Sequence, residues 1–141
     1  MNYEKLEKST TKWIEIYKKC RADNPWDYEC FKNVSDELSE ALVFFGPRAA
    51  EFGRIYERAK IDRELYFEER KLYWQDVIGK AHGNGSEIAA KAKLDCKEKY
   101  YIEIDAQADW RKANQIIDRI DQELNSISRR FKEIKHDEDS N

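Results

Sequence analysis

From Glu87 to Lys135 the chain carries no glycine and no proline. In the second half of that run, Trp110, Ala113, Ile117, Ile120, Leu124, Ile127, Phe131 and Ile134 return at alternating steps of three and four. That spacing places one apolar stripe along an α-helix and excludes a strand, whose side chains alternate with period two. A helix of this length stands as half of a pair, and the sequence supplies the other half. Phe45, Phe52, Ala59, Tyr66 and Tyr73 lie seven apart, with Tyr56 and Val77 four beyond two of them. The result is a coiled-coil-like seam diluted by Arg63 and Arg70. Between the two runs lies "YWQDVIGKAHGNGSE", residues 73 to 87, which holds three of the five glycines. Glycine supplies the positive φ needed where one helix must turn back into another.

The expected fold is therefore all-α: a long antiparallel helical hairpin, coiled-coil-like, preceded by short N-terminal helices. Residues 1–45 form the short helices, 46–135 the hairpin with its glycine-rich hinge at 79–85, and 136–141 a flexible tail. The first helix spans about residues 5 to 20, with Leu6, Trp13, Ile16, Tyr17 and Cys20 on one face. A short helix around 25–32 follows, with Asp23 or Asn24 as cap and Pro25 in its first turn. Ser35 caps a third, which stops at Gly46; Pro47 opens the hairpin and Ser86 caps its second arm. At 1.5 Å per residue the two arms are about 48 Å and 73 Å long. Folded about the hinge, facing residue numbers sum to about 165, which sets Ala59 against Ala106 and Tyr66 against Lys99 or Tyr100. Pro47 then faces about Asp118. Beyond it the seam Ile120, Leu124, Ile127, Phe131 and Ile134 has lost its hairpin partner. Left in water, each such side chain forfeits about 1.5–3 kcal/mol. The N-terminal helices and a second subunit are both expected to cover it, so a homo-oligomer is expected.

Composition narrows the function classes. Charged residues make up 39% of the chain and the net charge is −3, so no global field draws it to nucleic acid or membrane. No apolar run reaches the roughly 18 residues that span a bilayer, and the N-terminus has no apolar signal segment. Cys20, Cys30 and Cys96 are an odd count without a CxxC pair, read as free thiols in a reducing cytoplasm. His82 and His136 have no carboxylate or cysteine at metal-ligand spacing, so no metal is expected. "GKAHGNGSE" lacks the spacing of a phosphate loop. Glu68-Glu69 and Asp105 with Asp109 are read as solvated helix faces rather than acid/base pairs. No catalytic residue, no enzyme and no cofactor is expected.

The order of the cations is more informative than their number. Arg70 and Lys71 stand directly before Leu72, Tyr73 and Trp74, and Lys80 follows. Lys91, Lys93, Lys97 and Lys99 lie just past the hinge, where folding back brings them toward Arg70, Lys71 and Lys80. Cations set among aromatic rings can hold phosphates while a ring stacks on a base. A lysine-rich solvated helix with acidic neighbours such as Asp95 and Glu98 reads equally from the same residues.

The segment from about 45 to 135 resembles the phage recombination mediator proteins, the UvsY-like family. The resemblance is carried by W-x-x-x-x-G-K at Trp74, Gly79 and Lys80, by Lys71 three before that tryptophan, and by the ending "LNSISRRFKEIK" at 124–135 after Ile117, Ile120 and Leu124. Tyr73 stands where a second basic residue is often found in the family, and residues 1–45 have no counterpart. The resemblance implies a non-enzymatic protein of phage origin, working in the host cytoplasm, that binds single-stranded DNA and helps load a recombinase. It implies a recombinase and a single-strand-binding protein as partners, and assembly into a ring. The DNA-binding residues would be Arg70, Lys71, Lys80, Lys91 and Lys93. Two other classes fit the same composition: a small phage-type inhibitor of a host defence enzyme, of the anti-CRISPR or anti-defence kind, and a structural coiled-coil subunit.

Overall fold

A computed structural model describes residues 3–79 and 84–140. Among them are four helices and no strand: α1 (Tyr3–Asp23), α2 (Tyr28–Ile78), α3 (Gly85–Asp95) and α4 (Lys97–Ser140). The all-α fold with a long helical hairpin is therefore as expected. The chain divides into two compact units, Met1–Arg48 with Ala113–Asn141, and Ala49–Lys112.

In the first unit, α1 packs with the first part of α2 and the last part of α4. Its core is Ile14 and Tyr17 from α1, Phe31, Val34, Leu38, Ala41 and Phe45 from α2, and Ile116, Ile120, Ile127 and Ile134 from α4. Leu124 and Phe131 are half-buried against it. Tyr17 is buried among apolar neighbours, yet its hydroxyl is satisfied by Ser126 Oγ at 2.6 Å. Its ring meets Phe31 edge-on at 5.6 Å, and Tyr28 meets Phe131 at 5.1 Å.

This core corrects two expectations. First, α2 does not stop at Gly46; it runs through Gly46-Pro47 without a break. Proline removes one helical donor, here the partner of the Val43 carbonyl. Val43 and Pro47 are both exposed, so water can take the missing donor's place, while Phe45 and Ala49 stay buried on the other side. The punctuation shows instead as the division between the units, which falls at Arg48 and Ala49. Second, the overhang does not exist. Because α2 begins at Tyr28, Ile120, Ile127 and Ile134 are buried by this chain's own helices. Ile120, Ile127 and Ile134 are thus core of this chain and Leu124 and Phe131 pack against it, so the expected cover by the N-terminal helices is found and the overhang no longer argues for assembly.

Smaller differences follow from side-chain geometry. Asn24 Oδ1 accepts the N–H of Trp26 at 3.2 Å, making a turn rather than a cap. The cap of α2 is Asp27, whose Oδ1 accepts the N–H of Cys30 at 3.1 Å. Ser35 lies inside α2. The N-cap of α3 is Asn84, not Ser86, and makes no side-chain cap bond. The second arm is interrupted at Cys96, whose N–H is shared between the carbonyls of Ala92 and Lys93, both at 3.2 Å. The segment 136–140, expected as a flexible tail, continues α4.

The second unit is the antiparallel hairpin of α2 with α3 and the start of α4. Gly79, at φ 86°, ends α2 with its N–H on the Gln75 carbonyl at 2.9 Å. A left-handed residue here reverses the chain without the Cβ clash of any other residue. The rest of the expected hinge, including Lys80 and His82, lies outside the described residues.

Candidate nucleic-acid interface

The hairpin's register is that expected. Arg63 pairs with Glu103, Arg70 with Asp95, and the Lys99 ammonium lies 5.6 Å from the centre of the Tyr66 ring. Tyr56 stacks on Trp110 with ring centres 5.4 Å apart, and Ala59 and Ala106 are both buried. The two arginines that interrupt the apolar repeat face inward and meet carboxylates. Glu103 takes Arg63 with both oxygens, and the guanidinium also lies 4.6 Å from the Tyr100 ring centre. Each arginine is held further toward its charged form than usual, Arg63 by its hydrogen bond to Glu103 and Arg70 by its bond to Asp95.

Near the turn, the seam becomes a cluster of cations and rings. Asp95 Oδ2 accepts the Trp74 indole N–H and Arg70 Nε, each at 2.7 Å. Those two bonds, with the tryptophan's foremost, hold the Asp95 carboxyl below its ordinary range. Arg70 lies 4.1 Å from the centre of the Tyr73 ring, and the Lys91 ammonium 4.9 Å from that of Trp74. Folding back thus brings Lys91 to the rings beside Arg70. Lys71 is on the same helix but turned to Glu68, at 3.2 Å, and to the Phe67 ring. Lys93 is exposed, in a shallow groove with Ala90, Leu94, Lys97, Tyr100 and Tyr101.

The cluster can offer a phosphate the Lys91 ammonium and the outer edge of Arg70, and a base the half-exposed face of Tyr73. Each cation–ring contact is worth about 0.5–1 kcal/mol at an exposed site. A phosphate must compete with Asp95 for Arg70 and with Glu68 for Lys71. The role of Asp95 was not legible beforehand: an acid among lysines on a helix surface reads as a solvated neighbour. Its place on the inner face, at the level of Arg70, follows from the register.

Sequence spacing also missed a second cluster, at the turn from α1 to α2. Cys20, Asp27 and Cys30 bring two Sγ atoms and a carboxylate oxygen within 4.8 Å of one another. Cys20 Sγ donates to Asp27 Oδ2 at 3.6 Å. Burial first, and then the neighbouring Cys30 and Asp27, push the Cys20 thiol up to about 12. The only advance signal was that both cysteines flank one short interhelical turn. Among the described residues no helix is long and apolar enough to cross a membrane. No family model, curated protein or solved structure matches the chain.

Proposed function

We propose that this chain is a non-enzymatic, self-assembling helical protein that binds single-stranded DNA and helps load a recombinase. The observation that carries assembly is the register of the hairpin's outward apolar residues. Ile61, Leu65 and Leu72 on α2, and Leu94, Tyr101 and Ile104 on α3 and α4, are all exposed. Each stands two residues from an inward position, and so about half a turn away from the partner helix. Ile61 and Leu65 flank Arg63, and Leu72 follows Arg70. Leu94 lies between Ala92 and Cys96, Tyr101 between Lys99 and Glu103, and Ile104 before Ala106.

The levels also match. Ile61 with Ile104, Leu65 with Tyr101 and Leu72 with Leu94 have residue numbers summing to about 165, as the hairpin's own contacts do. The hairpin thus has an apolar stripe on each outer edge, at the same heights. The α2 edge of one copy fits the α4 edge of the next in the antiparallel register the hairpin already uses. Such a head-to-tail contact repeats, and it closes into a ring where the rotation permits. Removing the exposed part of each side chain from water contributes on the order of 1 kcal/mol.

The DNA-binding part rests on the family resemblance and on the Arg70, Tyr73, Trp74 and Lys91 cluster. A single copy binds weakly, because Arg70 and Lys71 already have carboxylate partners. An assembly repeats the cluster, so weak contacts act on one strand at high effective concentration. The recombinase and the single-strand-binding protein are the partners the resemblance implies. A purely structural assembly is the second reading, favoured by those same ion pairs. Sedimentation velocity of the protein, alone and with fluorescent oligo-dT, tests both parts. Oligomers that carry the oligonucleotide are expected. Oligomers that leave it free at low salt favour the structural reading, and a monomer that leaves it free overturns both.

A further inference from the structure

We propose that Cys20, Asp27 and Cys30 form a Zn²⁺ site at the turn between α1 and α2. The three donor atoms come from the end of one helix and the start of the next, within 4.8 Å of one another. In a tetrahedral zinc site, a sulfur at about 2.3 Å and a carboxylate oxygen at about 2.0–2.2 Å stand about 3.5 Å apart. The Cys20 Sγ to Asp27 Oδ2 separation is 3.6 Å, already that of a ligand edge.

The carboxylate is oriented for the task. Asp27 Oδ1 is occupied as the helix cap, accepting the Cys30 N–H at 3.1 Å, which turns Oδ2 toward the Cys20 thiol. A backbone bond to the far oxygen of a ligating carboxylate is the outer support that metal sites use to fix a ligand's direction. Cys30 sits in the first turn of α2, beside the Asp27 cap, so its position is fixed by the helix start. Two thiolates and one carboxylate form a donor set of intermediate softness, which suits Zn²⁺ better than Mg²⁺ or Ca²⁺. The adjoining cleft is lined by Ile16, Lys19, Asp23 and Asn24, and from it water completes the fourth position. On binding, each thiol gives its proton to solvent while the metal–sulfur bonds form, so uptake is proton-coupled and strengthens with pH.

The test uses the full chain under reducing conditions. Zn²⁺ is titrated in competition with a chromophoric chelator, and Co²⁺ is bound in parallel to read thiolate ligation from its near-ultraviolet charge-transfer band. One metal per chain is expected, with that band present. Cys20→Ser and Cys30→Ser should each weaken binding by about tenfold or more and reduce the band. Asp27→Asn keeps a good helix cap, so its circular dichroism should be unchanged while its Zn²⁺ affinity falls. Unchanged affinity in the two cysteine variants would overturn the site. So would reduced wild-type protein that binds no Zn²⁺.

Discussion

The indole N–H of Trp74 donates to Asp95 Oδ2 at 2.7 Å from across the hairpin, and Arg70 Nε reaches the same oxygen. The carboxyl is held below its ordinary 3.8, so its charged form is favoured by folding. For a depressed acid, the stabilisation is complete above the unfolded value and is lost as pH falls through the lower folded one. The hairpin should therefore weaken only below about pH 4, as Asp95 takes up a proton. The Trp74 indole resonance, followed by NMR through that range, should move as the bond is lost. Asp95→Asn should flatten this acid response, and an unchanged response would place its origin elsewhere.

Gly53 lies under the Trp110 ring: a Cβ there would meet the indole nitrogen at 3.0 Å. The ring is also stacked on Tyr56, with ring centres 5.4 Å apart. Gly53→Leu should displace Trp110 and lower stability by about 1–3 kcal/mol, despite leucine's higher helix propensity. Thermal melts together with tryptophan fluorescence check this. A variant as stable as wild type, with unshifted emission, would mean the ring has room to move.

Ile120 and Ile127 are buried in the first unit's core. Ile120→Ala should cost about 2–5 kcal/mol. Ile127→Asp buries an unpaired charge and should unfold that unit rather than separate subunits. Urea denaturation followed by circular dichroism distinguishes the two. Native helix content with only a change in mass would return these residues to a subunit interface.

The hairpin register was legible because a helical repeat on either side of a glycine turn fixes which residues face. The expected Tyr66–Lys99 level held for that reason. Gly46-Pro47 misled because local punctuation weighs a lost hydrogen bond without knowing which side of the helix faces water. That one break created the supposed overhang, and with it the expectation that a second subunit joins the N-terminal helices in covering Ile120, Ile127 and Ile134. The Cys20, Asp27 and Cys30 cluster was hidden for a different reason. Its geometry depends on Asp27, not Asp23 or Asn24, being the cap, and one residue's shift in a turn redirects every side chain after it. Arg63 and Arg70 looked like flaws in an apolar seam because their partners, Glu103 and Asp95, lie 40 and 25 residues away.

Leu65 and Leu94 are 60% and 73% exposed on the hairpin's two outer edges. Leu65→Asp with Leu94→Asp should leave helix content and melting intact and reduce the light-scattering mass to that of one chain. A mass equal to that of wild type would exclude the edge-to-edge contact. The same double variant should bind single strands far more weakly, since it keeps the cation–ring cluster but loses its repetition.

Fluorescence anisotropy of labelled oligo-dT, titrated with the wild-type protein at low and at moderate salt, is the most direct measurement. Saturable binding is expected at low salt, with no preference among base sequences and a clear loss of affinity as salt displaces the few phosphate contacts. Anisotropy that stays flat at low salt, up to protein concentrations where light scattering shows the assembled form, would contradict single-stranded DNA as the partner.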